Sequence, residues 1–557
     1  MYIYLWDFCS VNRFILYISV FCLERHFTSI NGYGKERKMK KPIKKMLAVV
    51  ATFALCISLA ACSCSGKSGA SNEKGTLVYA SGDYTRINPA MDEHGEINVL
   101  LFNGLTAHND KNEVIPSLAK NWDYDEKTFT YTFHLQEGVK WHDGKPFTAN
   151  DVKFTIEAIM DPKNESENAP NFEDVKEIKV IDDNTIAFTL EAPNVAFLDY
   201  MTMGILPKHL LEGENMQESK YFKNPIGTGP YKLEKWEEGQ AITLVKNDEY
   251  FKGAPKINKI VFKIVEDDNA KAIQMQSGEL DLAQLTPKDA QNFKDKEGYT
   301  YYDMLTADYR GIMYNFANDF WKENKDLIPA INYAVDRQAI IDAVILGQGM
   351  TAYSPIQRNI YNNENVEKFE YNPAKAEELL QKAGCTKNPD GFYYRNGKKI
   401  SFTINCKEGD QVRVDIAQAA AQQLAKVGVE VKVEVPAKID WDGQEAFLIG
   451  WGSPFDADDH TYKVFGTGKG ANYNSYSNAN VDKYLVEGRQ NSDTNVRKEA
   501  YAKFQEELTN DPPYTFICYI DANYVAKNKI KGISSNTILG HHGVGIFWNV
   551  ADWTIEE

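Results

Sequence analysis

Positive charge is in short supply in this sequence: 62 Lys and Arg face 78 Asp and Glu, a net charge of −16 at pH 7 over 557 residues. Nucleic acid recruits basic patches, so a nucleic-acid partner is excluded, and the acidity reads as a solvated, solubilising surface. Cysteine is scarce as well, at eight residues. Cys64, Cys385, Cys406 and Cys518 lack metal-ligand spacing and are too few for a disulfide framework, so buried free thiols are expected. HExxH, GxSxG and HxE with PCxxC are all missing, which argues against an enzyme. GTGKG at 466–470 lacks the GxxxxGK[ST] of a phosphate loop. The run DADDH at 456–460 alternates carboxylates as a calcium loop does. Thr461 and Thr467, however, stand where that loop needs glycine and glutamate. No cofactor is expected.

The apolar run 46–61 is shorter than the roughly 20 residues of a membrane helix. It follows the basic MKKPIKK at 39–45 and ends in Leu59, Ala60, Ala61 and Cys62. Basic start, short apolar run and small residues before a cysteine resemble a bacterial lipoprotein signal. Cys62 is therefore the expected lipidation site and membrane anchor. Residues 39–61 are the signal peptide, and the Ser/Gly/Lys-rich 62–75 a flexible tether. Residues 1–38 do not fit such a signal; translation is expected to start at Met39, leaving 1–38 as a miscalled leader.

The stretch 129–160 is the most informative part of the chain. Phe129, Tyr131, Phe133 and Leu135 alternate with Thr130, Thr132 and His134, the period of a half-buried strand. Trp141-His142-Asp143-Gly144 then reads as a tight turn. Thr148 and Asp151 form a capping box, and Val152, Thr155, Ile156 and Ile159 follow at helical spacing. His142 belongs to this turn, and its imidazole is expected to bond to backbone rather than to a ligand. Two further stretches follow in order: PIGTGPY at 225–231, and YNPAKA at 371–376 running on to Leu379, Leu380 and Gly384.

Together these stretches resemble the family 5 extracytoplasmic solute-binding proteins, the oligopeptide, dipeptide and nickel receptors of ABC importers. The resemblance implies an α/β, two-domain hinged fold of the periplasmic-binding-protein type II kind, with an extra lobe inserted into domain I. The expected division is 76–308 for domain I, with the inserted lobe at about 111–222. Domain II covers 309–520, and 521–557 returns to domain I. Strands crossing between lobes form a hinge, with bending expected near 307–312 and 519–524. The pattern 400–406, 412–427 and 429–435 reads as a β-α-β unit with parallel strands.

A monomer is expected. It would capture oligopeptides or dipeptides outside the membrane and deliver them to a permease and its ATPase; the alternative cargo is nickel or a metal chelate. A secreted hydrolase or a structural surface lipoprotein is the competing class. The missing catalytic constellation counts against the first, and the interlobe crossovers count against the second.

Candidate cleft residues come from two places. Tyr84 and Arg86 lie in the polar loop after the first strand, where ligands favour strand ends. Trp451 ends an apolar strand and is expected to line the cleft and stack on the ligand. In peptide-binding members an acidic residue three positions after this tryptophan pairs with the peptide amine. That position is Pro454 here, and Asp456 is the candidate substitute. The run WGSPFD is similar to the nickel-type branch, with His460 as the candidate metal ligand. The alternative for 456–460 is an acidic surface loop. His541 and His542 are adjacent; on a strand they would face opposite sides, so a shared metal is not expected unless a loop re-aims one.

Overall fold

The computed structural model of the chain describes residues 75–91 and 95–556, so the leader, the signal peptide and Cys62 lie outside the described residues. Two mixed sheets carry the described chain. The first has seven strands in the order Tyr299–Met304, Ala522–Lys527, Leu282–Leu285, Thr76–Ser81, Lys259–Ile264, Ala241–Lys246 and Tyr231–Glu237. The second has six, in the order Gly349–Thr351, Tyr514–Ile520, Tyr309–Tyr314, Ala446–Trp451, Ser401–Asn405 and Glu430–Glu434. The chain passes from one sheet to the other over 305–308 and back again at Asp521. This is the two-domain α/β architecture that the resemblance implied. Cys385, Cys406 and Cys518 are buried free thiols.

The inserted lobe is a four-stranded antiparallel sheet of Ala119–Asp125, Thr130–Leu135, Thr185–Leu190 and Val175–Asp182. Thr130–Leu135 alternates half-buried and buried side chains, with Tyr131, Phe133 and Leu135 inward. The helix Ala149–Met160 starts at the capping box, where Asp151 accepts from the Thr148 backbone N–H at 2.9 Å.

Two of the signature stretches meet at His142. Its Nδ1 accepts from Gly227 N–H at 3.1 Å, and its Nε2 donates to the Gly229 carbonyl at 3.1 Å. Burial pulls the ring down to about 4, so it stays neutral in this role. Gly227 must be glycine, because a Cβ there would fall 1.7 Å from the Leu101 carbonyl oxygen.

In the second lobe Asn372 caps Pro373–Lys382 through the Lys375 N–H, with Pro373 in the first turn. Ser401–Asn405, the helix Gln411–Lys426 and Glu430–Glu434 form the parallel β-α-β unit, with Ser401 opposite Glu430. Separate apolar cores lie on the two faces of this sheet.

Candidate functional site

The strand Ala446–Trp451 runs antiparallel to Tyr309–Tyr314 and puts Trp451 opposite Tyr309, beside the 305–308 crossover. Gly452 follows at φ 149°, and a Cβ on it would lie 1.8 Å from the Ala307 carbonyl oxygen. Only glycine lets the loop turn this close to the crossover. The Trp451 ring, 9% exposed, stacks on His541 with centroids 5.7 Å apart and planes 24° apart, and on Tyr473 at 6.1 Å and 28°. Its Nε1 is buried with no hydrogen-bond partner among the described residues, and so is Arg310 Nε.

His541 comes from the C-terminal return. Leu539 exchanges backbone hydrogen bonds with Leu305 and Ala307, which draws the segment alongside the crossover. The short turn His541–Gly543 then departs from any strand geometry, with His542 at φ 59° and ψ 15°. That left-handed residue cancels the alternation expected of neighbours on a strand. The two imidazoles sit on the same side, centroids 3.9 Å apart. The segment is therefore the re-aiming loop that was the exception to divergence, not the strand.

Asp308 stands beneath them. His541 Nδ1 lies 2.7 Å from Asp308 Oδ1, and His542 N–H donates to Oδ2 at 3.0 Å. Arg310 also pairs with this carboxylate. Burial alone would push the Asp308 carboxyl up, but Arg310 and His541 outweigh it and hold the group well below the usual carboxylate range. Burial lowers both histidines, keeping them neutral, as metal ligands must be. Donor atoms of Asp308, His541 and His542 lie within 4.8 Å of one another, close enough to share one cation. Because Asp308 already accepts from the His541 ring and the His542 backbone, we assign it the orienting position. It holds the proton on His541 Nδ1 and so fixes the orientation of that ring.

The carboxylate put forward for a ligand amine has another partner. Asp456 forms a bidentate pair with Arg497, at 2.7 and 2.5 Å, and also accepts from Asp458 N–H at 2.9 Å. Arg497 is supplied by the helix Thr494–Asn510 and is buried. Asp458 is held by Arg489 at 2.8 Å and by the Tyr200 hydroxyl, and Asp459 lies 3.4 Å from Lys463. The 456–460 run is thus an internal ion-pair network rather than a surface loop.

Of the remaining candidates, His460 accepts from Gly452 N–H at 3.3 Å and sets its ring 5.1 Å from Trp451 and 6.5 Å from His541. It stands beside the histidine pair, outside the three-residue group. Tyr84 is half-buried near Glu96, and its phenol is pushed up to about 12 by burial. Arg86 donates to Gln217.

Glu96 was not anticipated. It is buried, and Oε1 accepts from Gly545 N–H at 2.8 Å and Ile546 N–H at 3.3 Å, just beyond the histidine turn. Burial pushes its carboxyl up to about 7. Tyr79, Tyr84 and Tyr524 are the titratable groups facing it among the described residues. A carboxyl raised in the folded state penalises the ionised form, so its cost is complete above pH 7. The cost fades as pH falls toward the unfolded value of about 4.5. Glu96→Gln is therefore expected to gain stability over wild type at pH 8 and to lose that advantage by pH 4.5, read by urea unfolding at both pH values. An equal difference at both would contradict this.

A two-lobed α/β body, crossed twice by the chain and carrying convergent polar groups beside the crossover, is the architecture of a hinged solute-binding protein. Residues 113–474 match the model for bacterial extracellular solute-binding proteins, family 5 Middle, and the chain belongs to this family. It is a substrate-binding protein of an ABC importer, and its family works outside the cytoplasmic membrane. The oligopeptide-binding protein AppA of Bacillus subtilis is 31% identical, aligned over 93% of this chain and 100% of its own. Among solved structures, NikZ from Campylobacter jejuni in complex with Ni(L-His) is 37% identical. It covers 86% of this chain and 100% of its own at a TM-score of 0.82. AppA from Bacillus subtilis with a nonapeptide is 29% identical, covers 86% and 99%, and has a TM-score of 0.78.

Proposed function

We propose that the cargo is a metal chelate of the nickel–amino-acid kind, held by His541 and His542. The observation that carries this reading is the left-handed turn at His542, which brings two neutral imidazoles together over an orienting carboxylate. Imidazole suits nickel, and a ring nitrogen fixed by a carboxylate is the usual dress of a metal-bound histidine. The likeness to a Ni(L-His)-bound protein supports the same choice. Trp451 Nε1 and Arg310 Nε supply N–H donors that a chelate carboxylate would satisfy, which favours a complexed ion over a bare one.

A peptide cargo, placed first by sequence, is the second reading, favoured by likeness to AppA over that protein's full length. The pairing of Asp456 with Arg497 counts against it, since the substitute amine clamp is already engaged. Native mass spectrometry of protein purified from nickel-supplemented cells is the test. The chelate reading expects a co-bound mass containing nickel; a ladder of peptide masses without metal would replace it with the second reading.

The chain is further proposed to be lipid-anchored through Cys62, with 39–61 removed. Stable anchoring needs more than one acyl chain, which a diacylglyceryl group on the cysteine provides. Cys62→Ala is expected to move the protein from membrane to soluble fractions with its fold intact. Full retention in the membrane fraction would overturn the anchor.

A further inference from the structure

Resting on the metal-chelate reading, we propose that Glu96 is a positioning residue for metal capture, clamping the far side of the His541–Gly543 turn from the opposite end of the chain. Asp308 holds the near side through the His541 ring and the His542 backbone. The far side runs through Gly543 and Gly545, at φ 72° and 121°, so together with His542 the turn holds three residues in the left-handed half of backbone space. Such a segment has many alternative conformations, and local sequence alone does not select one.

Glu96 makes the selection. Its Oε1 gathers the Gly545 and Ile546 N–H groups across 449 and 450 positions of sequence. Tyr524, beside it on the strand Ala522–Lys527, reaches the same oxygen at 3.5 Å and donates to the Gly543 carbonyl at 3.1 Å. Gln284 adds a bond to the His542 carbonyl at 3.3 Å. Tyr524 and Gln284 sit on strands of the first sheet, and Glu96 lies just ahead of the helix Asn98–Leu101 in the segment that follows the sheet strand Thr76–Ser81, so all three restraints come from one lobe.

Glu96 is also a poor choice for stability alone. Its second oxygen, Oε2, is buried with no hydrogen-bond partner among the described residues, and burial pushes its carboxyl up. A carboxylate half-satisfied in the interior costs the fold stability. A residue that costs stability while fixing the turn that bears both imidazoles is explained by what the turn holds.

The test titrates nickel(II)–L-histidine into the full chain and into Glu96→Ala, Glu96→Gln and Tyr524→Phe. Calorimetry gives affinity, ligand-field absorption reports the bound nickel, and melting is followed without ligand. Glu96→Ala is expected to bind about 10–100-fold more weakly, the range for outer-sphere groups, with altered absorption and near wild-type melting. Glu96→Gln keeps the acceptor oxygen and is expected within about threefold of wild type. Tyr524→Phe should weaken binding less than Glu96→Ala. Wild-type affinity in Glu96→Ala, or an equal loss in Glu96→Gln, would overturn the clamp. If Glu96→Ala fails to fold, Tyr524→Phe decides: weakened binding at unchanged melting supports the clamp, and wild-type binding overturns it. Failure of the wild-type chain to bind the nickel complex would instead remove the chelate reading on which the clamp rests.

Discussion

Replacing His541 and His542 together with alanine is expected to weaken nickel–histidine binding by more than about a hundredfold, beyond the range that outer-sphere changes reach. The double change removes both protein nitrogens that would face the metal. The turn itself should survive, because much of what holds it is backbone: His542 N–H on Asp308, Gly545 and Ile546 N–H on Glu96, and the Gly543 carbonyl on Tyr524. Asp308 keeps Arg310 as its partner after His541 is gone. Equilibrium dialysis against the labelled complex, with circular dichroism to establish the fold, measures the loss. Undiminished binding by the double variant would move the metal away from this turn.

The second large effect concerns stability. Asp456→Asn is expected to destabilise the protein by about 3 kcal/mol, because it leaves the Arg497 guanidinium buried without a counter-charge. Tyr361 would still accept from Arg497, at 2.8 Å, but a neutral phenol does not balance the charge. Urea unfolding reads the difference, while affinity for nickel–histidine should be close to wild type once measured on the folded fraction. Unchanged stability combined with lost affinity for a cationic ligand would return Asp456 to the cleft as a direct contact.

These two variants mark where the sequence was and was not legible. Local chemistry could be read directly: the Thr148–Asp151 box, the Asn372 cap before Pro373, and the inward alternation of Tyr131, Phe133 and Leu135. Each depends on neighbours within a few positions, so spacing alone specifies it. His142 was legible for the same reason as part of a turn, although its partners lie 85 and 87 residues downstream. The partner of Asp456 was not legible, because Arg497 arrives from a helix 41 positions away and nothing in the loop announces it.

The histidine pair was read with a strand's two-residue period and a loop as the exception, and the segment forms the loop. The signal against a strand was present: Gly540, Gly543 and Gly545 surround the pair, and such glycine density marks backbone that can leave extended geometry. Glu96 had no such signal. A single glutamate hundreds of positions from the turn it holds becomes visible only when the fold closes the distance.

Side-by-side calorimetric titration with nickel(II)–L-histidine and with a panel of two- to nine-residue peptides tests the central claim most directly. Wild type and the His541→Ala/His542→Ala variant are the two proteins to compare. The account predicts a single saturable site for the nickel complex on wild type, its loss in the variant, and no competing peptide heat. Tight peptide binding that is the same in both proteins, with no heat from the nickel complex in either, would contradict it.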